Sequence, residues 1–592
     1  MPEVDYGPDN LVRSEFREGM RVDWDVPIRM DDGVTLRANV YRPDDDAKYP
    51  VIMTHGPYGK DLSWQEGYAT TWELFSKEHP DAIEGSTNIH QSWEVVDPEL
   101  WVPDGYVVIR IDSRGAGRSP GVIDTRSPRE TEDFKQCIEW AGQQVWSNGK
   151  VGLNGISYYA INQWFVAALK PKHLAAMCVW EGAGDYYRDS THQGGILSTF
   201  VTNWYDMQVA SVQHGLGENG KSSAANGELV CGPATLNPDE LKANRIDLGR
   251  RIKAEALDGP WYRERSADFS KVDVPFISAA NWGGQGLHPR GNFNGFVQSP
   301  SSQKWLEAHG LEHWTEFYTP YGRELQKRFF GHFLKGEDTG WGQQPRVQLK
   351  VRHPGDRFEV RGEDEWPLAR TQWTKAYLDA ATMTLSEGAV PAEAGALAYD
   401  GMGDGATFFL PAWNEAREIT GPLAAKLFIQ SETTDADLFL VLRLFSGDMR
   451  EVCFKGTLDP NTPLAQGWLR ASHRKLDPAK SKPWQPWHTH DAVEPLTPGQ
   501  VTELDIEIWP TCIVVPPGHR IALTVRGRDY ENPWATTHKL SNMKNVFRGC
   551  GPFLHDDPDD RLASVFGRRV TIHTGLDHPS HVLLPFVPPK AT

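Results

Sequence analysis

The sequence predicts an α/β domain with a doubly wound, largely parallel sheet, followed by an all-β domain. Up to about residue 180, short β-rich runs alternate with helical stretches, which is typical of helices that cover both faces of a parallel sheet. From about residue 366 onward the helical period disappears, and short alternating segments are separated by Pro and Gly turns. Such segments are typical of an antiparallel sandwich.

The first part of the chain supplies the predicted parallel sheet. Its strands are short apolar runs rich in β-formers, and the segment Thr131–Gln144 between them has helical spacing. The predicted strands are Leu36–Tyr41, Val51–Thr54, Tyr106–Ile111, Val151–Leu153 and Leu174–Val179.

After Asp185 the alternation of strands and helices stops. The aromatic-rich segment Thr199–Val212 is predicted to be helical and Gly215–Gly232 is a loop of small residues, so we expect an insertion that lies over the sheet. Strands return at Val274–Ala279 and Lys304–His309, and a helix at Arg323–Leu334 ends at Gly336. The all-β part contains the predicted strands Ala425–Gln430, Asp437–Leu444, Val501–Ile508 and Arg520–Arg526.

The charge balance excludes several classes of partner. The 592 residues include 61 Lys and Arg against 79 Asp and Glu, a formal net charge of −18, whereas nucleic acids and anionic membranes are bound by basic surfaces. No run of about 18 apolar residues is present, and Met1–Asn10 lacks the basic start and apolar stretch of a signal peptide. We therefore expect a cytoplasmic protein with neither a nucleic-acid nor a membrane partner. Six cysteines without CxxC spacing predict neither a zinc cluster nor a disulfide framework.

The segment Gly155-Ile156-Ser157-Tyr158 carries the candidate nucleophile. It follows the apolar run Lys150–Leu153 and precedes Ala160–Leu169, which has helical spacing. A serine on such a strand-to-helix turn has its hydroxyl pushed out of the sheet, and the strained backbone needs small neighbours. Gly155 supplies one of these, whereas Tyr159 replaces the second Gly of the G-x-S-x-G pattern. An ordinary turn serine is the alternative, and it is favoured if no partner groups can be found.

The partner groups that Ser157 needs are an oxyanion hole, a base and an acid. The backbone N–H of Tyr158, directly after the nucleophile, is one oxyanion donor. The loop after an earlier strand, His55-Gly56-Pro57-Tyr58-Gly59-Lys60, offers the phenol hydroxyl of Tyr58 as the second donor. A packed loop tyrosine is the alternative for Tyr58.

These residues resemble those of a known family, the cocaine-esterase-like hydrolases allied to the X-prolyl dipeptidyl peptidases. The matching segments cover essentially the whole chain and occur in the same order as in the family. It is carried by Asp32-Gly33-Val34-Thr35-Leu36, Tyr41-Arg42-Pro43, Pro57-Tyr58-Gly59-Lys60, Gly105-Tyr106-Val107-Val108, Asp112-Ser113-Arg114-Gly115, Ser119-Pro120-Gly121, Trp146 to Gly149, Gly155-Ile156-Ser157-Tyr158, Asp185-Tyr186-Tyr187-Arg188 and Pro517-Gly518-His519-Arg520.

The resemblance implies an α/β-hydrolase domain, a helical cap inserted after the sixth core strand, and a C-terminal jelly roll. We place the hydrolase domain at residues 1–185 and 265–365, the cap at 186–264 and the jelly roll at 366–592. The resemblance also implies Ser157 as nucleophile, the Tyr58 hydroxyl and the Tyr158 amide as oxyanion donors, and His313 as base. A homodimer is compatible with the resemblance to this family. A buried structural histidine is the alternative for His313.

The triad acid is the point at which this sequence departs from the family. The family Asp lies in a segment resembling Gly-Trp-Tyr-Asp-Gly, but here that position falls on Gly284, and no carboxylate occurs from Val274 to Gln298. Without an acid the tautomer of the base is not controlled. We favour Glu181, which directly follows the apolar run Leu174–Trp180. Asp185 and Glu312 are the alternatives, although Asp185 belongs to a motif better explained by a salt bridge and Glu312 is adjacent to His313.

The segment His309-Gly310-Leu311-Glu312-His313 also spells H-x-x-E-H, an inverted zinc-peptidase motif. That chemistry requires both histidines on one face of a helix. Because Gly310 interrupts the motif and the residues before it have strand character, we predict neither a metal nor an organic cofactor.

The sequence as a whole therefore predicts a serine hydrolase that cleaves an ester or amide of a small molecule through an acyl-enzyme. An esterase is favoured, because a dipeptidyl peptidase must hold a free substrate amine and no specific acidic clamp for it can be identified. An acyltransferase would use the same residues. A zinc hydrolase and a noncatalytic carbohydrate-binding protein, the latter suggested by the Trp-rich second half, are the remaining alternatives.

Overall fold

The computed structural model of the chain describes residues 13–534, 536 and 538–590. The segment Met1–Asn10, which lacks the features of a signal peptide, lies outside them. The strands of the N-terminal half are β1 Arg13–Arg17, β2 Met20–Arg29, β3 Thr35–Arg42, β4 Tyr49–Gly56, β5 Val107–Asp112, β6 Ser147–Ile156, β7 Leu174–Trp180, β8 His192–Gln193, β9 Ile196–Leu197, β10 Phe276–Asn281, β11 Lys304–His309, β12 Val347–His353 and β13 Arg357–Glu363. The strands predicted in this half are confirmed, most of them longer than predicted by a few residues.

Eleven of these strands form one sheet in the order β1-β2-β3-β5-β4-β6-β7-β10-β11-β12-β13. The seven strands from β5 to β12 in this order are mutually parallel, and antiparallel strands flank them on both sides. Strands β8 and β9 form a separate hairpin. Because the seven strands are parallel, their carboxyl ends lie at one edge of the sheet, where side chains from β6, β7, β10 and β11 can meet.

Short helices surround the sheet, and α4 is the longest of them. The helices are α1 Trp64–Gly67, α2 Ala69–Glu78, α3 Pro98–Trp101, α4 Pro128–Gly142, α5 Tyr158–Ala168, α6 Phe200–Trp204, α7 Pro238–Ala243, α8 Leu248–Ala254, α9 Pro260–Arg263, α10 Pro289–Gln298, α11 Thr315–Tyr318, α12 Pro320–Phe330 and α13 Ala563–Phe566. Helix α4 begins where Ser127 caps the amide of Glu130 and Pro128 occupies the first turn. The predicted helix ending at Gly336 is α12, prolonged by a wider turn over Gly331–Lys335.

The segment predicted as a helix over Thr199–Val212 is helical but not one regular helix. Helix α6 is followed by a wider turn at Tyr205–Val209 and a tighter turn at Ala210–Val212. Such irregular turns are frequent at functional sites. Here the irregularity follows Trp204, whose indole N–H donates to the Tyr58 hydroxyl 2.9 Å away.

The C-terminal half is all-β, as predicted. Its strands are β14 Gln372–Asp379, β15 Thr384–Glu387, β16 Gly395–Asp400, β17 Ala406–Phe409, β18 Arg417–Ser431, β19 Asp437–Phe445, β20 Glu451–Val452, β21 Ala465–Arg470, β22 Val501–Val515, β23 Arg520–Arg526, β24 Arg569–Thr574 and β25 His581–Val587. Because β18 pairs with both β22 and β25, the sheet closes on itself around an aliphatic core. The predicted class, an α/β domain followed by an all-β domain, is confirmed.

Within the described ranges, no helix is long and apolar enough to cross a membrane. All six cysteines are free thiols, and five of them are buried.

A buried arginine joins the two halves of the chain. Arg290, on α10, is 2% exposed. Its Nε donates to both carboxylate oxygens of Glu507 on β22 at 3.0 Å, and its Nη1 donates to Asp189 at 2.9 Å. One guanidinium therefore neutralises two carboxylates that belong to different parts of the fold.

We expect Arg290→Met to destabilise the protein by about 3 to 5 kcal/mol, because it leaves two buried or half-buried carboxylates without their cation. Urea unfolding followed by tryptophan fluorescence measures the change. Arg251→Met is the matched control, because Arg251 pairs with Glu255 on an exposed helix face and should contribute less than about 1 kcal/mol. Equal midpoints for the two variants would show that the buried pair contributes little.

Candidate active site

Ser157 lies on the turn between β6 and α5. Its backbone has φ 54° and ψ −113°, a conformation that residues other than glycine rarely adopt. The turn is held by the Ser157 N–H, which donates to the carbonyl oxygen of Trp180 at 3.0 Å. A Cβ at Gly155 would lie 2.5 Å from the Cβ of Tyr159, so the small residue is required there. This strained turn directs the Ser157 hydroxyl away from the sheet.

Tyr159 replaces the glycine that usually follows the nucleophile by two residues, and the structure makes room for it. The ring packs against Gly56 at the end of β4, where a Cβ would lie only 2.7 Å from the Tyr159 ring. Tyr159 is buried. A glycine on a neighbouring strand therefore compensates for the bulky residue at the turn.

Tyr58 and the amide of Tyr158 lie beside the nucleophile. The Tyr58 hydroxyl lines the same cavity as Ser157 and accepts the Trp204 indole N–H, which leaves its own hydrogen free to donate. Burial raises the pKa of Tyr58 well above its usual range, so the phenol stays protonated. Tyr158 is the first residue of α5, where a backbone N–H has no partner inside the helix. Both groups have the character of oxyanion donors.

Glu181 follows the last residue of β7 and is fully buried. Its Oε2 lies 2.8 Å from Nδ1 of His313, and its Oε1 accepts a hydrogen bond from Nδ2 of Asn281 at 3.0 Å. A second imidazole, that of His309, approaches Oε1 at 3.4 Å. Burial acts to raise the pKa of Glu181, but the charge of His313 and the hydrogen bonds from both histidines hold it well below its usual range. Glu181 is therefore an ionised carboxylate directed at the imidazoles.

The other two acids considered above lie in different surroundings. Asp185 caps the Arg188 amide and forms a salt bridge with the Arg188 guanidinium at 2.9 Å. Glu312 pairs with Lys455 at 2.9 Å. At Gly284, a Cβ would lie 3.0 Å from Pro289 and 3.1 Å from Thr457, so a side chain at the family's Asp position would be crowded.

His313 is held between two carboxylates. Besides its contact with Glu181, its Nε2 lies 2.7 Å from Oε1 of Glu94. Burial acts to lower the pKa of His313, but Glu181 and Glu94 outweigh burial and raise it to about 10. In this arrangement the His313 ring is an imidazolium that donates to a carboxylate on each side.

The imidazole in contact with the nucleophile is that of His288. Its Nε2 lies 3.1 Å from Ser157 Oγ, and its Nδ1 lies 3.6 Å from Oε2 of Glu181. Burial, reinforced by the charge of His313, lowers the pKa of His288 to about 3, so the ring is neutral in this arrangement. The rings of His288 and His313 stack with centroids 5.0 Å apart.

His288 and Glu94 are the two groups that the sequence analysis missed. His288 directly precedes Pro289, the first residue of α10, in the loop after β10. The family pattern places a carboxylate in that loop and assigns no role to a histidine there. Glu94 lies in a long connection without a motif, and its backbone has φ 64°.

The active-site cavity has a volume of about 20 Å³ and is closed by residues from both halves of the chain. Its catalytic side is formed by Ser157, Tyr58, Glu94, His288 and His313. Aromatic and aliphatic side chains form the walls. From the C-terminal half come Thr457, Leu458, Met543 and Phe553.

The H-x-x-E-H segment does not form a helix. His309 is the last residue of β11, and Leu311 has φ 70°. Glu312 pairs with Lys455 and accepts a hydrogen bond from the Thr315 hydroxyl. The residues of the motif that suggested a zinc peptidase are thus divided between the end of a strand and a turn.

Comparisons with known proteins agree with the fold. Residues 32–315 match the sequence model of the X-Pro dipeptidyl-peptidase (S15) family, and residues 339–583 match that of the X-Pro dipeptidyl-peptidase C-terminal non-catalytic domain. Cocaine esterase of Rhodococcus sp. (strain MB1 Bresler) is 24% identical over 95% of this chain and 98% of its own. An aminopeptidase of a marine sediment archaeon shares the fold, with a TM-score of 0.66 at 14% identity over 99% of this chain and 98% of its own.

A crystal structure of a CocE/NonD family hydrolase from Staphylococcus aureus is more similar. It is 31% identical, covers 96% of this chain and 94% of its own, and has a TM-score of 0.82. The strained serine turn and the full-length match together show that this chain belongs to the CocE/NonD family of serine hydrolases, with the α/β-hydrolase fold.

Proposed function

We propose that this serine hydrolase cleaves a carboxylic ester of a small molecule, with Ser157 as nucleophile. The observation that carries the proposal is the 3.1 Å contact between Ser157 Oγ and a neutral, buried imidazole that faces the ionised Glu181. An amide substrate, or transfer of the acyl group to an alcohol or amine, would use the same groups.

The reaction follows from the positions of these groups. Ser157 Oγ attacks the substrate carbonyl while its proton passes to the imidazole, and the oxyanion is stabilised by the Tyr58 hydroxyl and the Tyr158 amide. The imidazolium then gives the proton to the leaving group. Water enters, is deprotonated by the same imidazole and hydrolyses the acyl-enzyme.

Two imidazoles are available for the role of base. His313 is the base that the family position implies, and its contact with Glu181 supports it. The contact with Ser157 supports His288 for the direct transfer of the proton. We propose that His288 receives the proton and that His313, paired with Glu181, positions its ring, with the sequence-based assignment of His313 as the alternative.

Labelling with a fluorophosphonate probe tests the nucleophile. We expect one adduct, located by mass spectrometry on Ser157, and no adduct in Ser157→Ala. Labelling at another residue, or none on a folded protein, would contradict the proposal.

Matched histidine variants decide which imidazole is the base. We expect His288→Gln to lower kcat by about 10³-fold or more, because no other group then accepts the Ser157 proton. His313→Gln should have a smaller effect, since it removes a positioning group. The opposite ranking, with both variants folded by circular dichroism, would identify His313 as the base.

Replacing the acid tests the role of Glu181. We expect Glu181→Gln to lower kcat by about 10³- to 10⁴-fold, because the imidazolium formed in the reaction loses its counter-charge. Glu312→Gln is the control, since Glu312 pairs with Lys455 at 2.9 Å. Near-normal turnover of Glu181→Gln would exclude it as the triad acid.

A second candidate function is the cleavage of substrates that carry a protonated amine, as an X-Pro dipeptidyl peptidase would require. It is favoured by Glu94, whose Oε2 is buried and has no hydrogen-bond partner within the described residues. Among the residues that the structure describes, the cavity lining contains aromatic rings and neither Lys nor Arg. Burial raises the pKa of Glu94, and the contact with His313 opposes that rise. In its ionised form, a carboxylate among aromatic rings is a suitable environment for an organic ammonium group.

Two otherwise identical aryl esters, one of an amino acid and one of its deaminated analogue, test this second function. If Glu94 binds the ammonium, Glu94→Gln should lower kcat/KM for the amino ester about tenfold or more relative to the analogue, because a charge-assisted hydrogen bond is lost. Equal losses for both esters would mean that Glu94 acts only through His313.

The domain limits at residues 185, 264 and 365, the cytoplasmic location and the homodimer stay predictions.

A further inference from the structure

Glu181, His288 and His313, here called the Glu181 cluster, are arranged like the ligands of a metal ion. Each group offers one ligand atom, and these atoms lie within 4.8 Å of one another. Glu181 Oε2 lies 2.8 Å from His313 Nδ1 and 3.6 Å from His288 Nδ1. Ligand atoms of a tetrahedral zinc ion lie about 3.3 Å apart, given bonds of about 2.0 Å, and the two measured separations lie on either side of this value.

One ring nitrogen of the cluster, Nδ1 of His288, is available as a metal ligand. His288 is 2% exposed, and its Nδ1 has no hydrogen-bond partner among the residues that the structure describes. Buried ring nitrogens are normally paired, so an orphaned one calls for an explanation. Coordination of a metal ion would satisfy His288 Nδ1 and would keep its Nε2 in contact with Ser157.

The groups around the cluster also have the pattern of a metal site. Histidines that bind metal ions donate their second ring N–H to an oxygen, usually that of a carboxylate or carbonyl group. Here the second nitrogen of His313 faces the Glu94 carboxylate at 2.7 Å, and that of His288 faces Ser157 Oγ at 3.1 Å. The remaining oxygen of Glu181 is fixed by the amide of Asn281.

We propose that the Glu181 cluster binds a zinc-like divalent ion and that this ion inhibits the enzyme. Two imidazoles and one carboxylate suit Zn²⁺, whereas Mg²⁺ prefers oxygen ligands. The proton shared by His313 and Glu181 leaves to solvent as the ion enters. The adjoining cavity of about 20 Å³ is large enough for one water molecule, which would complete a tetrahedral site.

Inhibition follows from the chemistry of imidazole. A ring bound to metal through Nδ1 carries its proton on Nε2 and donates to Ser157 Oγ, so it can no longer accept the serine proton. The expected inhibition rests on the function proposed above, whereas the binding of the ion does not depend on that function.

Zinc binding is measured on metal-free, full-length Ser157→Ala protein by isothermal titration calorimetry. We expect one Zn²⁺ per chain and no comparable binding of Mg²⁺. Glu181→Gln in the same background should weaken binding about 100-fold or more, and Glu94→Gln should weaken it about 10- to 100-fold, as loss of a carboxylate behind a ligating histidine does. The graded effect of Glu94→Gln does not depend on how well Glu181→Gln folds.

A second group of potential ligands, Glu78, His79 and Glu312, lies at the surface and requires a control. Glu312→Gln removes a ligand from that group and leaves the Glu181 cluster intact, so we expect it to keep the tight site. Loss of binding in Glu312→Gln but not in Glu181→Gln would overturn the proposal, as would the absence of one-to-one binding in Ser157→Ala.

The inhibitory effect is measured separately, by fluorophosphonate labelling of the wild-type protein with zinc and after removal of zinc with EDTA. We expect zinc to lower the labelling rate at least tenfold and EDTA to restore it. Unchanged labelling of zinc-loaded protein would overturn the inhibitory role. If wild-type protein is never labelled, the proposed function fails, and calorimetry alone decides whether the metal site exists.

Discussion

The buried carboxylate of Glu181 determines how the active site is organised. An ionised group in the protein interior must be paired and hydrogen-bonded, and Glu181 obtains its partners from the ends of neighbouring strands and the turns that follow them. Asn281 ends β10, His309 ends β11, and His313 lies on the turn after β11. Because these partners lie at the ends of different strands and on the turn that follows, the carboxylate fixes these segments relative to one another and to Ser157 on the turn after β6.

The two stacked histidines differ in charge because only His313 lies between two carboxylates, whereas burial and the charge of His313 dominate at His288. His313 lies between Glu181 and Glu94 and carries a charge, whereas the buried His288 beside it stays neutral. A protonated ring cannot act as a base, but it can position a neutral one and neutralise a carboxylate. The arrangement thus separates the group that holds the charge from the group that contacts the nucleophile.

Local crowding leaves little room for a side chain at Gly284, the position of the family's Asp. Gly284 has Pro289 and Thr457 close to where its side chain would be, and Thr457 comes from the C-terminal half of the chain. The site is therefore completed only when the two halves pack together. Arg290, two residues after His288, links that packing to the catalytic loop through Asp189 and Glu507.

The sequence by itself determined the fold class, the serine turn and the pairing of Glu181 with His313. These depend on local features: alternation of strands and helices, a G-x-S turn after an apolar run, and the absence of a carboxylate after β10, which left the end of β7 as the place for an acid. Only the tertiary structure revealed the contact of His288 with Ser157 and that of Glu94 with His313. Both depend on where loops distant in sequence meet, since His288 is 131 residues from Ser157 and Glu94 is 219 residues from His313. No local pattern marks such residues, because their chemistry comes from burial and from neighbours that the fold supplies.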